Sequence, residues 1–239
     1  MSEHMEALSR MQYPGRVIII GASSQGESIV MYAITGRSPS SQARKLVIDN
    51  EQRKINVTPT DEKTLKTGNP DLLVYPAVIV AEGIAVSNGK QTTDIPPRFQ
   101  PGTAPVAVLE AALEKWEYEP DEPNYTPRIS GCVFGGAALS IIKRAPDGSV
   151  ERKSFDVPMV SGKGKLIATY TGVNANPLPS FSGEPLDVLI PFATANEAAQ
   201  GLYQALAPAA GGDDYRVTAA AVYQDKNGKL SMAVKNRHD

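Results

Sequence analysis

Cysteine and histidine are nearly missing from this chain, and their scarcity removes whole classes of chemistry. One cysteine, Cys132, among 239 residues supports neither an intramolecular disulfide framework nor a thiolate zinc cluster. The two histidines, His4 and His238, sit at opposite extremities, where chains are commonly disordered. That placement argues against Ser-His-Asp catalysis and histidine-held metals. Acid and base groups, if the chain is an enzyme, must come from Asp, Glu, Tyr, Lys, Cys132 or bound water.

An excess of charge of one sign is also lacking. With 24 Lys and Arg against 26 Asp and Glu, a net charge of -2 and a pI near 5.8, there is no global field to draw a polyanion. No nucleic-acid partner is expected, and any phosphate recognition must be local. No apolar run approaches the roughly 18 residues that cross a bilayer. Residues 1–12, with Glu3, His4 and Glu6, lack a secretory apolar stretch, so a cytoplasmic protein without a membrane partner is expected. Hydrophobic residues at 41% and charged residues at 21% suit a globular core. With no internal repeat and no biased linker, the expectation is a flexible leader over residues 1–12 and a single domain over 13–239.

What is present is mostly strand-like. Residues 16–21 and 28–36 are β-branched and apolar around Ala22-Ser23-Ser24-Gln25-Gly26, which predicts an antiparallel hairpin. A second hairpin is predicted from residues 72–81 and 84–87 around Glu82-Gly83. Thr103 is placed to cap a helix over 104–118, with Pro105 in its first turn and Val106, Leu109, Ala112, Leu113 and Trp116 as an apolar stripe. Further strands are expected at 128–134, 138–144, 150–157 and 165–170, and an irregular, proline-rich insertion at 174–185. A strand at 186–192, a helix at 196–206 and a hairpin of 216–224 with 229–234 close the chain. Many short strands with two or three helices define an α+β class with stacked, largely antiparallel sheets under helices.

The densest chemistry is Gly36-Arg37-Ser38-Pro39-Ser40-Ser41-Gln42-Ala43-Arg44-Lys45, directly after an apolar run. Arginine forks and serine hydroxyls suit phosphate oxygens; composition alone favours a solvated polar turn. Gly21 and Gly26 have P-loop spacing, but Glu27-Ser28 replaces the phosphate-reaching Lys-Ser/Thr and a strand follows, so that reading fails. Gly162-Lys163-Gly164-Lys165 reads as a basic turn. Cys132, mid-strand and without an activating histidine, reads as an inert buried thiol. Glu117 and Glu119, in an acidic run, have a solvated surface as their default, and Tyr75, Tyr118 and Tyr125 read as packing residues with a polar tip. Residues 86–94 and 125–129 each combine a turn or proline with groups able to edge a ligand, the second placing Arg128 at the mouth of a strand.

Taken in order, Tyr13-Pro14-Gly15-Arg16, the GRSPSSQARK loop, VSNGKQTTD and YTPRI resemble the archaeal-type IMP cyclohydrolase family. The resemblance runs from residue 13 to about 170 and is weaker through 216–234. It implies a four-layer αββα sandwich similar to the N-terminal-nucleophile hydrolases, without a processed nucleophile. It also implies the last step of purine nucleotide synthesis, closure of 5-formamidoimidazole-4-carboxamide ribonucleotide (FAICAR) to IMP with release of water. A small purine ribonucleotide partner, no cofactor, no metal and a homo-oligomer go with it. By the same resemblance Arg37, Ser38 and Arg44 hold the ribose phosphate, and Asn88, Thr92 and Asp94 surround the base or ribose. Tyr32, Gly89 and Thr126 complete the substrate-binding set. Tyr75 and Glu119 transfer protons, with Tyr118 the nearest competitor, and Arg128 polarises the substrate or holds the catalytic carboxylate. Two other readings stay open: a noncatalytic purine-nucleotide-binding or regulatory protein, and an amide hydrolase of the related fold.

Overall fold

Consecutive β-branched residues dominate the centre of the molecule. In the computed structural model, which describes residues 5–239, β1 (Arg16–Ala22) is buried along its whole length. It pairs with β2 (Ser28–Thr35) through a tight turn in which Ser23 Oγ accepts from the amides of Gln25 and Glu27. That antiparallel turn is incompatible with a P-loop. Single-turn helices α1 (Glu6–Ser9), α2 (Pro39–Gln42), α3 (Glu62–Leu65) and α4 (Pro70–Leu73) punctuate the first third of the chain. Around them lie β3 (Arg44–Asp49), β4 (Lys54–Pro59), β5 (Tyr75–Val80) and β6 (Ile84–Ser87). Then come α5 (Pro105–Leu113), β7 (Arg128–Val133), β8 (Ala137–Arg144), β9 (Val150–Asp156), β10 (Lys163–Ala168) and β11 (Leu186–Leu189). The chain closes with α6 (Ala195–Ala205), β12 (Arg216–Gln224) and β13 (Leu230–Asn236).

Two sheets result, ordered β11-β10-β1-β2-β12-β13 and β3-β4-β5-β6-β7-β8-β9, with antiparallel ladders throughout. Strand alternation decides which residues meet. On β7, Ile129 and Val133 join the core between the sheets, while Cys132, of opposite parity, joins Leu109 and Leu113 beneath α5. Helix α6 packs on β12 and β13 of the six-stranded sheet through Ala198 and Leu202, and α5 packs on β7, β8 and β9 of the other. Each buried Leu contributes about 1.5–3 kcal/mol before entropy is charged. The sheets approach so closely that a Cβ on Gly131 would lie 2.6 Å from Ile20 Cδ1.

At one corner a side chain performs a strand's task. Asn236 Oδ1 accepts from Leu46 N at 2.8 Å and Thr218 Oγ1 at 2.7 Å, and its Nδ2 donates to Leu46 O at 3.2 Å. This amide joins β13, the edge of one sheet, to β3, the edge of the other.

The sandwich is polar in its connections. Tight turns at 23–27, 50–53, 81–83 and 134–136 lie at one end, and the longer connections 36–43, 60–74 and 88–127 gather at the other.

Several expectations need correction. Residues 5–12 are no loose leader, since Leu8 is fully buried and α1 packs on α6 and β11; His4 lies outside the described residues. The β3–β4 hairpin was not anticipated, and it takes Arg44 and Lys45 out of the loop. The strand expected from residue 72 starts at Tyr75, because Pro70 opens α4 under an Asn69 cap. Helix α5 runs only from Pro105 to Leu113, with Ala104 at its N-cap position and no side-chain cap from Thr103. The basic turn at 162–165 is largely the start of β10, where Gly164 leaves room for Ile190 Cδ1. Among the described residues no helix is long and apolar enough to cross a membrane.

Candidate active site

Arg16, Arg44, Tyr75 and Arg128 are the first residues of β1, β3, β5 and β7, and these strands all begin at the end of the sandwich where the long connections gather. A cavity of about 270 Å³ opens there. Gly15 sets the entry into β1. Its φ of +75° belongs to the left-handed region, a Cβ would lie 2.0 Å from Thr169 Oγ1, and its carbonyl accepts from Thr35 N at 2.8 Å and Thr35 Oγ1 at 2.9 Å. Arg16 is thereby delivered to the cavity wall, its amide donating to Thr169 Oγ1 at 3.1 Å.

Charge in this region is unbalanced. Arg16, Arg44, Arg128 and Glu119 are all buried, giving three guanidiniums against one carboxylate. Arg128 is satisfied by Glu117 O at 2.7 Å and Gln91 Oε1 at 3.1 Å, lies over the Trp116 ring, and approaches Glu119 Oε1 only to 3.7 Å. Arg44 Nε donates to Ser41 O at 2.9 Å, but both its Nη atoms are buried without partners, as are Arg16 Nε and Glu119 Oε1. Unmade hydrogen bonds of this kind cost about 1–3 kcal/mol each, more for charged groups. An anionic or carbonyl-bearing ligand would recover that cost.

Glu119 is not at the surface, as its acidic neighbourhood led one to expect. The chain folds back so that Glu119 N donates to Thr126 O at 2.9 Å while Asp121 accepts from the Thr126 amide and hydroxyl. Burial pushes the Glu119 carboxyl up to about 7, against the pull of Arg16 and Arg128. Arg16 also stands within electrostatic reach of Tyr75 and Tyr32, whose hydroxyls are hydrogen bonded at 2.7 Å. Burial, then the neighbouring Tyr75, holds the Tyr32 phenol well above the ordinary tyrosine range.

At the mouth, Arg37, Ser38, Ser40 and Ser41 line the cavity. Ser38 caps α2 by accepting from Ser41 N at 3.2 Å. Arg37 lies over the Tyr13 ring and donates through Nη1 to Asn174 Oδ1 and Ala175 O, both at 2.9 Å, so the 174–185 segment is tied to the site. Tyr13 stacks on Tyr170, whose hydroxyl meets Thr126 Oγ1 at 2.6 Å.

Of the residues singled out in the sequence, Arg37, Ser38, Glu119 and Thr126 line the cavity. Tyr32, Tyr75, Arg44 and Arg128 form the buried layer around Arg16 and Glu119. The remainder of the set is placed elsewhere. Asn88 spends its amide on Ile129 N, Gln91 and Pro127 O. Gly89 leaves space that a Cβ would take 2.7 Å from Arg128 Nη1. Thr92 bonds Gly89 O at 2.8 Å. These three frame Arg128. Asp94 is exposed and accepts from Trp116 Nε1 at 2.8 Å, and Tyr118 donates to Gly148 O at 3.1 Å; neither reaches the cavity. Sequence reasoning gave no role to Arg16, Tyr13, Asp121 or Tyr170. The available signal was a cation opening an apolar strand, in Arg16 as in Arg128. Among the described residues no cluster of His, Cys, Asp or Glu is arranged to hold a metal.

Buried cations around a carboxyl whose Oε1 has no hydrogen-bond partner, at one end of a two-sheet sandwich, define a cavity protein suited to a small anionic or carbonyl-bearing molecule. The chain belongs to the IMP cyclohydrolase-like family, whose model matches residues 13–228. A Methanopyrus kandleri protein named IMP cyclohydrolase is 31% identical over 159 residues, covering 66% of this chain and 75% of that protein. One from Methanothrix thermoacetophila with the same name is 28% identical over 169 residues, 70% of this chain and 78% of its own.

Proposed function

We propose that this protein is an IMP cyclohydrolase, closing FAICAR to IMP and water. The carboxamide nitrogen attacks the formyl carbon, an amide proton is removed, and the formyl oxygen is protonated and leaves as water. The observation that carries the reading is Glu119, buried at the cavity wall with Oε1 unpartnered and its carboxyl at about 7, in a chain of this family. A carboxyl of that acidity can take the amide proton and return one to the departing hydroxyl at neutral pH. Arg128 steadies it, and the Tyr75–Tyr32 pair supplies a second proton path.

The ribose phosphate belongs at the mouth with Arg37, Ser38 and the Ser40 and Ser41 hydroxyls, because an arginine fork beside three hydroxyls matches phosphate oxygens. Arg44, grouped with the tyrosines, serves the reacting end in this reading. Holding the two reacting groups together supplies much of the acceleration. Residues 13–239 act as one catalytic domain, and the sandwich is taken as a variant of the N-terminal-nucleophile layout in which strand-start side chains replace the nucleophile.

Incubating the purified protein with FAICAR and following IMP by chromatography tests the reading. Turnover is expected, reduced on the order of 100-fold or more in Glu119→Gln. Binding of IMP without turnover would favour a noncatalytic nucleotide-binding protein instead.

A further inference from the structure

We propose that Arg16 contacts the substrate, its guanidinium holding the formyl oxygen while negative charge develops there during ring closure. The proposal rests on the cyclohydrolase reading and assigns a catalytic residue beyond those named in it.

Three observations carry it. First, Arg16 lines the cavity although it is a buried strand residue, and the left-handed Gly15 fixes its approach. Second, its Nε is buried without an acceptor. Arginines held for structure in this molecule are paired: Arg216 makes a two-pronged contact with Asp214 at 2.9 and 2.8 Å, and Arg152 reaches Glu114 O at 3.2 Å and Trp116 O at 2.7 Å. A buried donor kept unpaired beside a cavity is poised for a ligand acceptor. Third, its electrostatic neighbours are Tyr75, Glu119, Tyr32 and Tyr170, which include the proposed proton carriers, whereas the phosphate donors stand at the mouth.

The chemistry balances without further reactants. As the carboxamide nitrogen bonds to the formyl carbon, the carbonyl π pair moves onto oxygen and the amide proton passes to Glu119. Glu119 returns that proton to the oxygen, and as the C–O bond breaks the formamido N–H gives up its proton to complete the water while its nitrogen forms the ring C=N bond; the guanidinium stays protonated throughout. A contact that strengthens as the oxygen becomes negative acts on turnover more than on binding.

Steady-state kinetics on FAICAR, with IMP binding by calorimetry, are to be compared for wild type, Arg16→Met and Arg16→Lys. The expected result is a kcat lowered on the order of 100- to 1,000-fold in Arg16→Met. KM and the IMP Kd should stay within a few-fold, kcat should recover partly on adding guanidinium ion, and Arg16→Lys should fall between. The proposal is overturned if kcat in both variants stays within about threefold of wild type, or if IMP affinity falls in step with the activity. It is equally overturned if both variants lose native circular dichroism, because Arg16 would then hold the fold. Wild-type protein that binds IMP but forms none from FAICAR removes the cyclohydrolase reading and this proposal together. Active wild type with unimpaired variants removes only the role of Arg16.

Discussion

The hydroxyls of Tyr32 and Tyr75 lie 2.7 Å apart in a buried setting, each the hydrogen-bond partner of the other. Replacing one leaves the other phenol unsatisfied in a dry site, at a cost of about 1–3 kcal/mol, whereas removing both deletes the need along with the bond. Urea unfolding of Tyr32→Phe, Tyr75→Phe and the double variant should show the double costing less than the sum of the singles by about 1 kcal/mol. Strict additivity would mean that the two hydroxyls do not depend on each other.

Glu119 makes stability depend on pH in an unusual direction for a carboxyl. Burial lifts its pKa from 4.5 to about 7, so between those values the folded state binds more protons than the unfolded chain. Its contribution to stability is absent as a penalty below about 4.5, turns increasingly unfavourable as pH rises to about 7, and levels off above. The total is a few kcal/mol at about 1.4 kcal/mol per unit. Glu119→Gln should therefore be more stable than wild type at pH 8, with the advantage shrinking toward pH 5, in denaturant titrations at both values. An advantage that grows on acidification would reverse the sign and refute the assignment.

Arg37 both faces the mouth and holds Asn174 and Ala175. Arg37→Ala should raise the FAICAR KM and the IMP Kd roughly 10- to 100-fold, the range of a lost charged hydrogen bond, with kcat within a few-fold. Inosine, which lacks the phosphate, should bind variant and wild type alike. Equal weakening of inosine and IMP would assign Arg37 to the 174–185 segment alone.

Asn236 predicts a stability effect remote from the cavity. Asn236→Ala strips the buried Leu46 amide and carbonyl of their partners and should cost about 2–3 kcal/mol in urea unfolding. Asn236→Asp keeps an acceptor for Leu46 N and should cost less. Wild-type midpoints for both would show that β3 and β13 stay joined without it.

How far the molecule was legible from its residues depended on burial. Strands β1, β2, β7, β8 and β12 are β-branched or small and apolar because they are covered on both faces, and they stood out. The β3–β4 hairpin escaped notice because its residues alternate with solvent and its turn reaches positive φ through Arg53 instead of a glycine. Helix α5 stopped short because Arg152 takes the Glu114 and Trp116 carbonyls and Arg128 takes that of Glu117. Motifs told which loops converge; they did not tell which side chains are spent on one another. Asn88 and Thr92 look ligand-ready in sequence and are consumed internally, whereas Glu119 looks solvated and is enclosed by a fold-back through Thr126.

The separation of strand starts from hairpin turns divides the labour of variation. Arg16, Arg44, Tyr75 and Arg128 occupy one rim, so the turns at 23–27, 50–53, 81–83 and 134–136, at the other end, can lengthen, shorten or carry an inserted peptide without displacing any of the four. That far rim can thus be remodelled while the cavity wall keeps its shape, and an affinity handle or fluorophore is best grafted at the exposed 50–53 turn.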